Sequence, residues 1–433
     1  MTGAADDAAA LRAALLRGDV PPEDGMLLWA AEAAVETVRT MMAAPRLAVA
    51  VSGGSDSLAT LSLLSALHPL EAVTVDHGLR PEAAEEAAFV ARFCADRGIS
   101  HSILRWDGRG AKGNLMDAAR RARLRLIGAW AQDRGVGAVA LGHTGDDQAE
   151  TFLMRLAREA GLEGLSGMRE SFESEGVLWF RPFLSQTRAE LRLYLQRQRI
   201  GWIEDPSNAN ERFDRVKARK ALAVLAPLGI TAGTLSTVVG HLAMAEQSVL
   251  WSLEQLVRAH VRFDAGDVVI DAHGFRDAFD PETGRRLLNA ALVWVSGAYY
   301  PPRAAQVIDV LTTWRTRRDR TLHGCRILVT DDALRITREL RAVAGLRLPF
   351  GEVWDGWRIE GPERPGLTLA ALGAAGLRQL GEGRTRDRPR ASLLASPAVW
   401  QGETLLAAPV AGWKNGYEAG LVRPSFTVSL IRR

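Results

Sequence analysis

Short apolar runs alternate with longer amphipathic stretches over the first 160 residues. The strand-like runs lie at 47–51, 71–75, 102–106 and 138–141. Stretches with helical periodicity follow them at 58–67, 81–96, 114–133 and 145–158. Strands that alternate with helices predict a parallel sheet with helices on both faces. Residues 1–45 are rich in alanine and helical in period, so we expect them to pack on this sheet.

The pattern changes after residue 181. Two arginine-rich stretches with helical period, 188–199 and 212–220, flank a loop at 202–208 that is rich in Pro, Ser and Asn. Residues 230–325 have a mainly helical pattern, interrupted by a strand-like segment at 267–271.

Gly, Pro and short apolar runs, such as 353–359 and 426–431, dominate residues 345–433 and indicate a small domain with considerable strand. We therefore predict an α/β protein: a parallel-sheet nucleotide-binding domain, a mainly helical domain and a small α+β domain. The predicted boundaries are 1–225, 226–340 and 341–433.

Composition narrows the class of protein. The 433 residues are 47% hydrophobic and 24% charged, as in soluble globular proteins, and no apolar run reaches the roughly 20 residues that span a bilayer. The first residues include acids and no basic segment, so we expect no signal peptide. Two distant cysteines argue against a disulfide framework and against a cysteine-based metal site, which favours the cytoplasm.

A polar, glycine-rich segment, SGGSDS, joins the first predicted strand directly to the first helix. Adjacent glycines allow a sharp bend and close approach to a ligand, and free N–H groups at a helix start attract anions. No lysine follows the glycines, so this is not a Walker motif. The segment predicts a pyrophosphate-binding loop, and an ordinary helix-capping turn is the alternative. The loop residues are Ser52, Gly53, Gly54, Ser55, Asp56 and Ser57.

Three carboxylates are candidates for a magnesium site. Asp56 lies in the loop, and a carboxylate beside phosphates makes sense mainly if Mg²⁺ lies between them. Asp147 and Glu150, with Asp146 beside them, begin the 145–158 helix, and we expect them to share the ion with Asp56. Helix capping is the alternative for these acids, because the helix dipole stabilises negative charge there.

Two further strand ends carry polar clusters. Ligands in parallel sheets bind beyond the carboxyl ends of strands, so we expect these clusters to meet the loop. Asp76 and His77 are candidates for holding the adenine or ribose of a nucleotide, although a turn is the competing interpretation. Gly142 and His143 follow the fourth strand, and His143 is expected to contact a triphosphate or a reacting base unless it is structural.

Arginines suggest a polyanionic substrate. Arg120 and Arg123 lie three residues apart and face one side of a helix, where they neutralise phosphate on ATP or RNA or else are solvated. Basic stretches also occur at 188–199, 212–220, 315–320 and 384–390. Each alone is typical of a solvated face, but together they favour a folded RNA over a small metabolite.

The motifs, taken together, resemble the tRNA(Ile)-lysidine synthetase family of pyrophosphate-loop (PP-loop) ATP pyrophosphatases. The matching segments are SGGSDS (52–57), VDHGLR (75–80), GHTGDDQAETFLMRLAR (142–158), GLEGLSGM (161–168), RPFL (181–184), WIEDPSN (202–208), YPPR (300–303) and TLHGC (321–325). The resemblance covers essentially the whole chain and is strongest over 45–220.

The resemblance implies a carbon–nitrogen ligase that uses ATP and Mg²⁺. Its substrates are free L-lysine and tRNA(Ile) with a CAU anticodon, and its product is lysidine at wobble position 34. It implies that Asp56, His143, Asp147 and Arg120 are catalytic, with Asp56, Asp147 and Glu150 as metal ligands. The domains after residue 225 would grip the tRNA, and a homodimer is possible in such a family.

Some residues depart from the family pattern. Met116 stands where an acid is usual, Leu124 where tyrosine is usual, and Glu159 where glycine is usual. Other interpretations stay open: another PP-loop enzyme, such as a tRNA thiolase or an amide-forming synthetase that makes GMP or NAD, or a non-catalytic RNA-binding protein. Absence of a CxxC pair disfavours the thiolase.

Overall fold

The computed structural model describes residues 20–43, 45–78, 82–106, 115–204, 214–271, 281–298, 300–313, 318–381 and 387–426. The chain divides into two compact units, Met1–Glu246 and Gln247–Arg433. Several predicted features lie outside the described residues. They are residues 1–19, the end of VDHGLR, the end of WIEDPSN, residues 315–317 of the basic tract, Arg384 and Arg386, the run after Phe426 and the side chain of Met116. The division into three domains stays a prediction.

The first unit contains a six-stranded sheet. Its strands are β1 Arg46–Ala50, β2 Leu70–Asp76, β3 Ser100–Arg105, β4 Val136–Leu141, β5 Ser171–Ser174 and β6 Val177–Phe180. They lie in the order β3-β2-β1-β4-β6-β5, parallel except for β5, which pairs antiparallel with β6 at one edge. The order reverses between β1 and β4, and ligands bind at such a switch point in open α/β sheets.

Helices cover both faces of this sheet, as predicted. In the first unit they are α1 Pro22–Met41, α2 Ser55–Ser65, α3 Glu82–Asp96, α4 Leu115–Arg134, α5 Gly145–Leu156, α6 Leu162–Leu165, α7 Arg188–Arg197 and α8 Asp214–Leu225. Leu47 and Val49 of β1 face a core shared with α1, α2, α3 and α7, whereas Ala48 faces α4. This period-two alternation along β1 is what burial on both faces requires.

A 3₁₀ turn, Ala226–Leu228, connects α8 to the long helix α9, Ala232–His260, which crosses the boundary between the units. The start of α9 packs against α5 through Leu235, Val239 and Phe152. Taken singly, none of the described helices has both the length and the apolar character to cross a membrane. The bent pair Asp214–Leu228 and Ala232–His260 meets those two criteria only when counted together.

The second unit contains more strands than the mainly helical pattern of residues 230–325 predicted. A five-stranded antiparallel sheet, ordered β7-β8-β11-β10-β9, replaces the single predicted strand segment. Its strands are β7 Val261–Asp264, β8 Asp267–Asp271, β9 Arg320–Leu322, β10 Cys325–Val329 and β11 Ala333–Arg338. Between β9 and β10, His323 and Gly324 both adopt positive φ, which matches the two-residue turn that a tight hairpin needs.

Helices α10 Pro281–Ser296 and α11 Ala304–Thr313 accompany that sheet. The strand-rich end of the chain is confirmed by a four-stranded sheet, a two-stranded sheet and three short helices. These elements are α12 Leu340–Val343, β12 Arg347–Pro349, β13 Trp357–Glu360, β14 Leu367–Ala371, α13 Gly373–Leu380, α14 Arg390–Ala395, β15 Pro397–Gln401, β16 Thr404–Ala407 and β17 Glu418–Leu421.

Candidate active site

The glycine-rich segment forms the bend between β1 and α2. The helix begins at Ser55, three residues earlier than the apolar pattern predicted, so Ser55, Asp56 and Ser57 form its first turn. The hydroxyl of Ser57 accepts a bond from the Ser52 backbone N–H (3.1 Å) and donates one to the Gly54 carbonyl (3.0 Å). The bend is therefore held by its own side chains, and the first-turn N–H groups are left to face an anion.

Two glycines make close approaches that a side chain would obstruct. A Cβ on Gly142, just after β4, would lie 2.8 Å from the Cα of Ser57 and 2.9 Å from the carbonyl carbon and oxygen of Asp56. Gly53 has φ of +88°, and a Cβ there would lie 2.8 Å from the side chain of Ile203. The segment after β4 is therefore in direct contact with the first turn of α2, and these two strand-end clusters meet as the strand-end rule predicted.

The three predicted carboxylates converge on one arginine. Nε of Arg188 donates to Oδ2 of Asp56 at 2.9 Å, and its other nitrogens lie 3.5 Å from Asp147 Oδ1 and 3.6 Å from Glu150 Oε1. Arg219 also donates to Glu150 Oε1 at 2.9 Å. Asp56 and Asp147 thus lie at the same end of the sheet, and the cation between them is a guanidinium of the chain itself.

Asp147 also caps its helix. Its Oδ2 accepts bonds from the backbone N–H and the hydroxyl of Thr144, at 3.0 and 3.1 Å. Burial alone would raise the pKa of Asp147, but the charge of Arg188 and the Thr144 N–H outweigh burial and lower the pKa. The helix-cap interpretation of this acid is therefore confirmed, and its role as a metal ligand stays a prediction.

His143, which follows β4, lies beside Arg181. Its Nδ1 accepts a bond from Nε of Arg181 at 3.2 Å, which places the ring proton of the neutral imidazole on Nε2. Burial, followed by the charge of Arg181, lowers the pKa of His143 to about 3. The ring is therefore neutral at physiological pH and offers an N–H donor to the site.

The end of β2 carries the third polar cluster. Asp76 Oδ1 accepts a bond from the Gly78 N–H at 2.9 Å, so this acid does form a turn. The ring of His77 packs edge-on to Trp106, with centroids 5.8 Å apart. Burial and the charge of Arg123 lower the pKa of His77 to about 4, and among the described residues its Nδ1 has no hydrogen-bond partner.

The chain was compared with known proteins. A family model described as a PP-loop domain matches residues 30–225. A tRNA(Ile)-lysidine synthase of Ruegeria pomeroyi is 47% identical over 382 residues, which cover 87% of this chain and 91% of that relative. This chain belongs to the tRNA(Ile)-lysidine synthase family. The family member from Hyphomonas neptunium is 39% identical over 293 residues and covers 64% of this chain and 77% of its own.

Among solved structures, a U34-tRNA thiolase from Methanococcus maripaludis aligns with a TM-score of 0.41 and 18% identity. The alignment covers 49% of this chain and 78% of the thiolase.

The matched PP-loop domain of this lysidine synthase family member contains every predicted site residue. The loop 52–57, the β2 end and the segment after β4 lie at the carboxyl ends of neighbouring strands. Arg120, on α4, is exposed, and its charge helps to lower the pKa of Arg181 after burial. Leu124 packs with the α4 core, and Glu159 adopts φ of +57° in a turn.

Sequence reasoning missed four arginines that belong to the site. They are Arg181, Arg188, Arg215 and Arg219. Arg188 and Arg219 were assigned to basic helices with solvated or RNA-facing sides, yet both bond to the site carboxylates. A signal for Arg188 existed: Thr187 and Glu190 form a capping box, which places Arg188 in the first turn of its helix.

Proposed function

We propose that this protein ligates free L-lysine to C2 of cytidine 34 in tRNA(Ile) with a CAU anticodon. O2 of the cytidine attacks the α-phosphorus of ATP, and pyrophosphate leaves. The ε-amine of lysine then attacks C2, and AMP leaves with O2. The product is lysidine, which changes codon reading from AUG to AUA.

The observation that carries this proposal is the glycine-rich bend between β1 and α2. It lies in a chain whose match to a named lysidine synthase covers 91% of that relative. The bend has backbone N–H groups at a helix start, and Gly142 after β4 lies close against it. Charge builds up on pyrophosphate as it leaves, and fixed N–H donors aimed at that charge lower the barrier.

Arginines form a basic wall for the phosphates. Arg181 is 7% exposed, and burial followed by the charge of Arg120 lowers its pKa to about 10. Its contacts to Nδ1 of His143 and to the carbonyl of Arg169 do not neutralise its charge. A phosphate of ATP or of the wobble nucleotide would supply the missing negative charge, which supports a binding role for Arg120 and Arg181.

Mg²⁺ is the proposed co-factor of the first step. Mg²⁺ usually binds through one or two carboxylates together with substrate phosphates, and Asp56 lies next to the phosphate loop. Glu150 Oε2 is buried and has no hydrogen-bond partner among the described residues, so this carboxylate oxygen can still bind a donor or a metal ion. In the described parts of the chain, no three His, Cys, Asp or Glu side chains form a metal cluster by themselves. Asp56, Asp147 and Glu150 thus stay the proposed ligands, and bound Mg²⁺ would neutralise charge on the leaving pyrophosphate.

The second step requires lysine to lose a proton. A general base works best when its pKa lies near the operating pH, and the pKa of His143 is about 3. We therefore assign His143 the role of a neutral hydrogen-bond donor through Nε2, to phosphate or to the cytosine. Asp56 is the aspartate that stays a candidate for accepting the proton, because the charge of Arg188 outweighs burial and lowers the pKa of Asp147 as well.

The thiolase alternative would need a reactive cysteine, and the chain has two. Cys94 lies in α3, and burial raises its pKa to about 11. Cys325 begins β10, and burial raises its pKa to about 12. Because the thiolate is the nucleophile, neither side chain suits sulfur transfer, which supports lysine ligation. The tRNA substrate and the two buried thiols are in keeping with a cytoplasmic enzyme.

The experiment uses Asp56→Asn, with ATP–pyrophosphate exchange in the presence of the tRNA and incorporation of labelled lysine as readouts. We expect both rates to fall at least about 100-fold, because electrostatic stabilisation at the leaving group is lost. Binding of tRNA in a filter assay should change less than about twofold, since Asp56 contributes no contact to the phosphate backbone of RNA in this proposal.

Asp96→Asn, at the exposed C-terminal end of α3, is the charge-matched control and should retain both activities. If wild-type protein exchanges pyrophosphate yet never incorporates lysine, the PP-loop chemistry stands and the lysine assignment is wrong. If Asp56→Asn remains fully active, the role of Asp56 is wrong.

A further inference from the structure

Arg188 is held in place by the helix that it begins. Its backbone N–H donates to Oδ2 of Asp146 at 2.7 Å, which ties the start of α7 to the start of α5. One turn later, Nε of Arg192 donates to the hydroxyl of Ser55 at 3.3 Å. The position of Arg188 is therefore fixed against both the phosphate loop and the helix that carries the acids.

The guanidinium occupies the centre of an acidic pocket, which we define by Asp56, Asp147 and Glu150. Its side chain is 19% exposed, and all three carboxylates lie within 3.6 Å of its nitrogens. Burial alone would lower the pKa of Arg188, but Asp56 and Asp147 raise it. A cation in this position is strongly favoured as long as the carboxylates are ionised.

Arg188 is one of three arginines at the acidic pocket, because Arg219 donates to Glu150 Oε1 at 2.9 Å and Arg215 lies 3.9 Å from Asp147 Oδ1. Glu150 is 1% exposed, and its Oε2 has no hydrogen-bond partner among the described residues. A buried carboxylate oxygen without a partner is costly, so this atom calls for a water molecule or a ligand. Oε2 of Glu150 is therefore open to a further donor or cation, and displacement of Arg188 would open Asp56 and Asp147 as well, to a metal ion or an ammonium group.

We propose that Arg188 is an internal cation that fills the acidic pocket of the nucleotide-free enzyme and competes with free cations. When ATP binds at the phosphate loop, its phosphates offer the guanidinium another partner, and Arg188 leaves Asp56. The pocket then accepts Mg²⁺ and the ammonium group of lysine only on the nucleotide-loaded enzyme. The identity of that second cation rests on the proposed function, whereas the competition does not.

This role differs from that of a structural ion pair. A structural pair stabilises the fold, and its removal weakens every ligand that depends on the local geometry. An internal competitor instead excludes other cations, so its removal strengthens their binding to the nucleotide-free protein. The sign of the change in cation affinity therefore separates the two roles.

The test measures Mn²⁺ binding to nucleotide-free protein by electron paramagnetic resonance. Arg188→Gln removes one positive charge from among three carboxylates, and unit charges about 4 Å apart interact strongly even at a protein surface. We expect Mn²⁺ to bind Arg188→Gln at least about tenfold more tightly than wild type. Affinity that is unchanged or weaker would overturn the proposal.

Two further variants control the measurement. Arg199→Gln removes the same charge just beyond the far end of α7, and its Mn²⁺ affinity should stay within about twofold of wild type. Arg188→Lys keeps a cation in the pocket and should resemble wild type. A melting curve for each variant establishes that it is folded. If Arg188→Gln does not fold, Arg188→Met serves in its place, because it removes the same charge and keeps an apolar stem.

A second measurement uses equilibrium dialysis with labelled lysine. Wild type should bind lysine only when a non-hydrolysable ATP analogue is present, and Arg188→Gln should bind it without the analogue. Equal lysine binding by wild type with and without the analogue would overturn the proposed gating. If no variant binds lysine although Arg188→Gln binds Mn²⁺ more tightly, the competition stands and the lysine assignment fails.

Discussion

Replacing Gly142 with alanine tests whether the contact between the segment after β4 and the first turn of α2 sets the shape of the phosphate loop. The added Cβ would lie 2.8 Å from the Cα of Ser57 and 2.9 Å from the carbonyl carbon and oxygen of Asp56. All three atoms belong to the backbone, so no side chain can rotate away to relieve the clash.

The magnitude follows from these distances. Ordinary van der Waals contact begins near 3.4 Å, so the first turn of α2 must move at least 0.6 Å relative to β4. Overpacking of this kind typically costs about 1–3 kcal/mol of folding stability. A displacement approaching 1 Å at a reacting group lowers rates by roughly 100-fold, so we expect pyrophosphate release to slow by about 10- to 100-fold.

The assay is ATP–pyrophosphate exchange with tRNA at saturating ATP, combined with a melting curve. Gly240→Ala is the matched control, because it adds the same atom in α9 where nothing lies within 4 Å. That control should keep full activity and gain up to about 1 kcal/mol from better helix propensity. Wild-type exchange rates in Gly142→Ala would refute the claim that this close contact shapes the loop.

Two further predictions concern stability. Asp267 is buried in the second unit and accepts bonds from Arg335 (2.7 Å) and Ser392 (2.6 Å). Because Arg335 keeps its bond to Asp264 (2.8 Å), Asp267→Ala should cost about 1–3 kcal/mol, measured as a lower melting temperature of that unit. His77 and His143 have folded-state pKa values of about 4 and about 3, below the ordinary 6.5. Only the unfolded chain binds protons as the pH falls from 6.5 to 4, so stability of the first unit should fall over that range. In melts, replacing both histidines with glutamine should flatten this dependence; an unchanged dependence would contradict these pKa values.

The sequence was sufficient to predict β1 to β4 and the helices that follow them, because the evidence for these elements is local, whereas β5 and β6 were not predicted. A period of two in β1 and helical periods in the following segments can be read from neighbouring residues alone. The sheet of β7 to β11 was missed because its strands are short and their pairing depends on contacts between residues far apart in the chain. The turn at His323 and Gly324 was the available local signal, and it lay within a motif that was noted only for its family resemblance.

The convergence of the acidic residues was predictable for a similar reason. Asp56 and Asp147 each follow a strand of one parallel sheet, and topology alone then brings them to the same edge. Arg188 was not predictable in this way, because helical period places an arginine on one face of α7 without saying which neighbour that face meets. Which residues Arg188 meets depends on how α7 packs against α2. The hydroxyls of Tyr194 and Ser62 lie 3.0 Å apart in that packing.

The mixture of charges in this site has a physical consequence under the proposed function. ATP is an anion and lysine a cation, and both must reach one cytosine, so acids and arginines have to lie within a few ångströms of each other. Such groups pair when substrates are absent, as Arg188 and Asp56 do at 2.9 Å. Each substrate must therefore displace an internal partner before it binds, which lowers affinity for either substrate alone. Simultaneous binding of both substrates is favoured, because the arginine that leaves the acids pairs with the phosphates of ATP and the acids then pair with lysine.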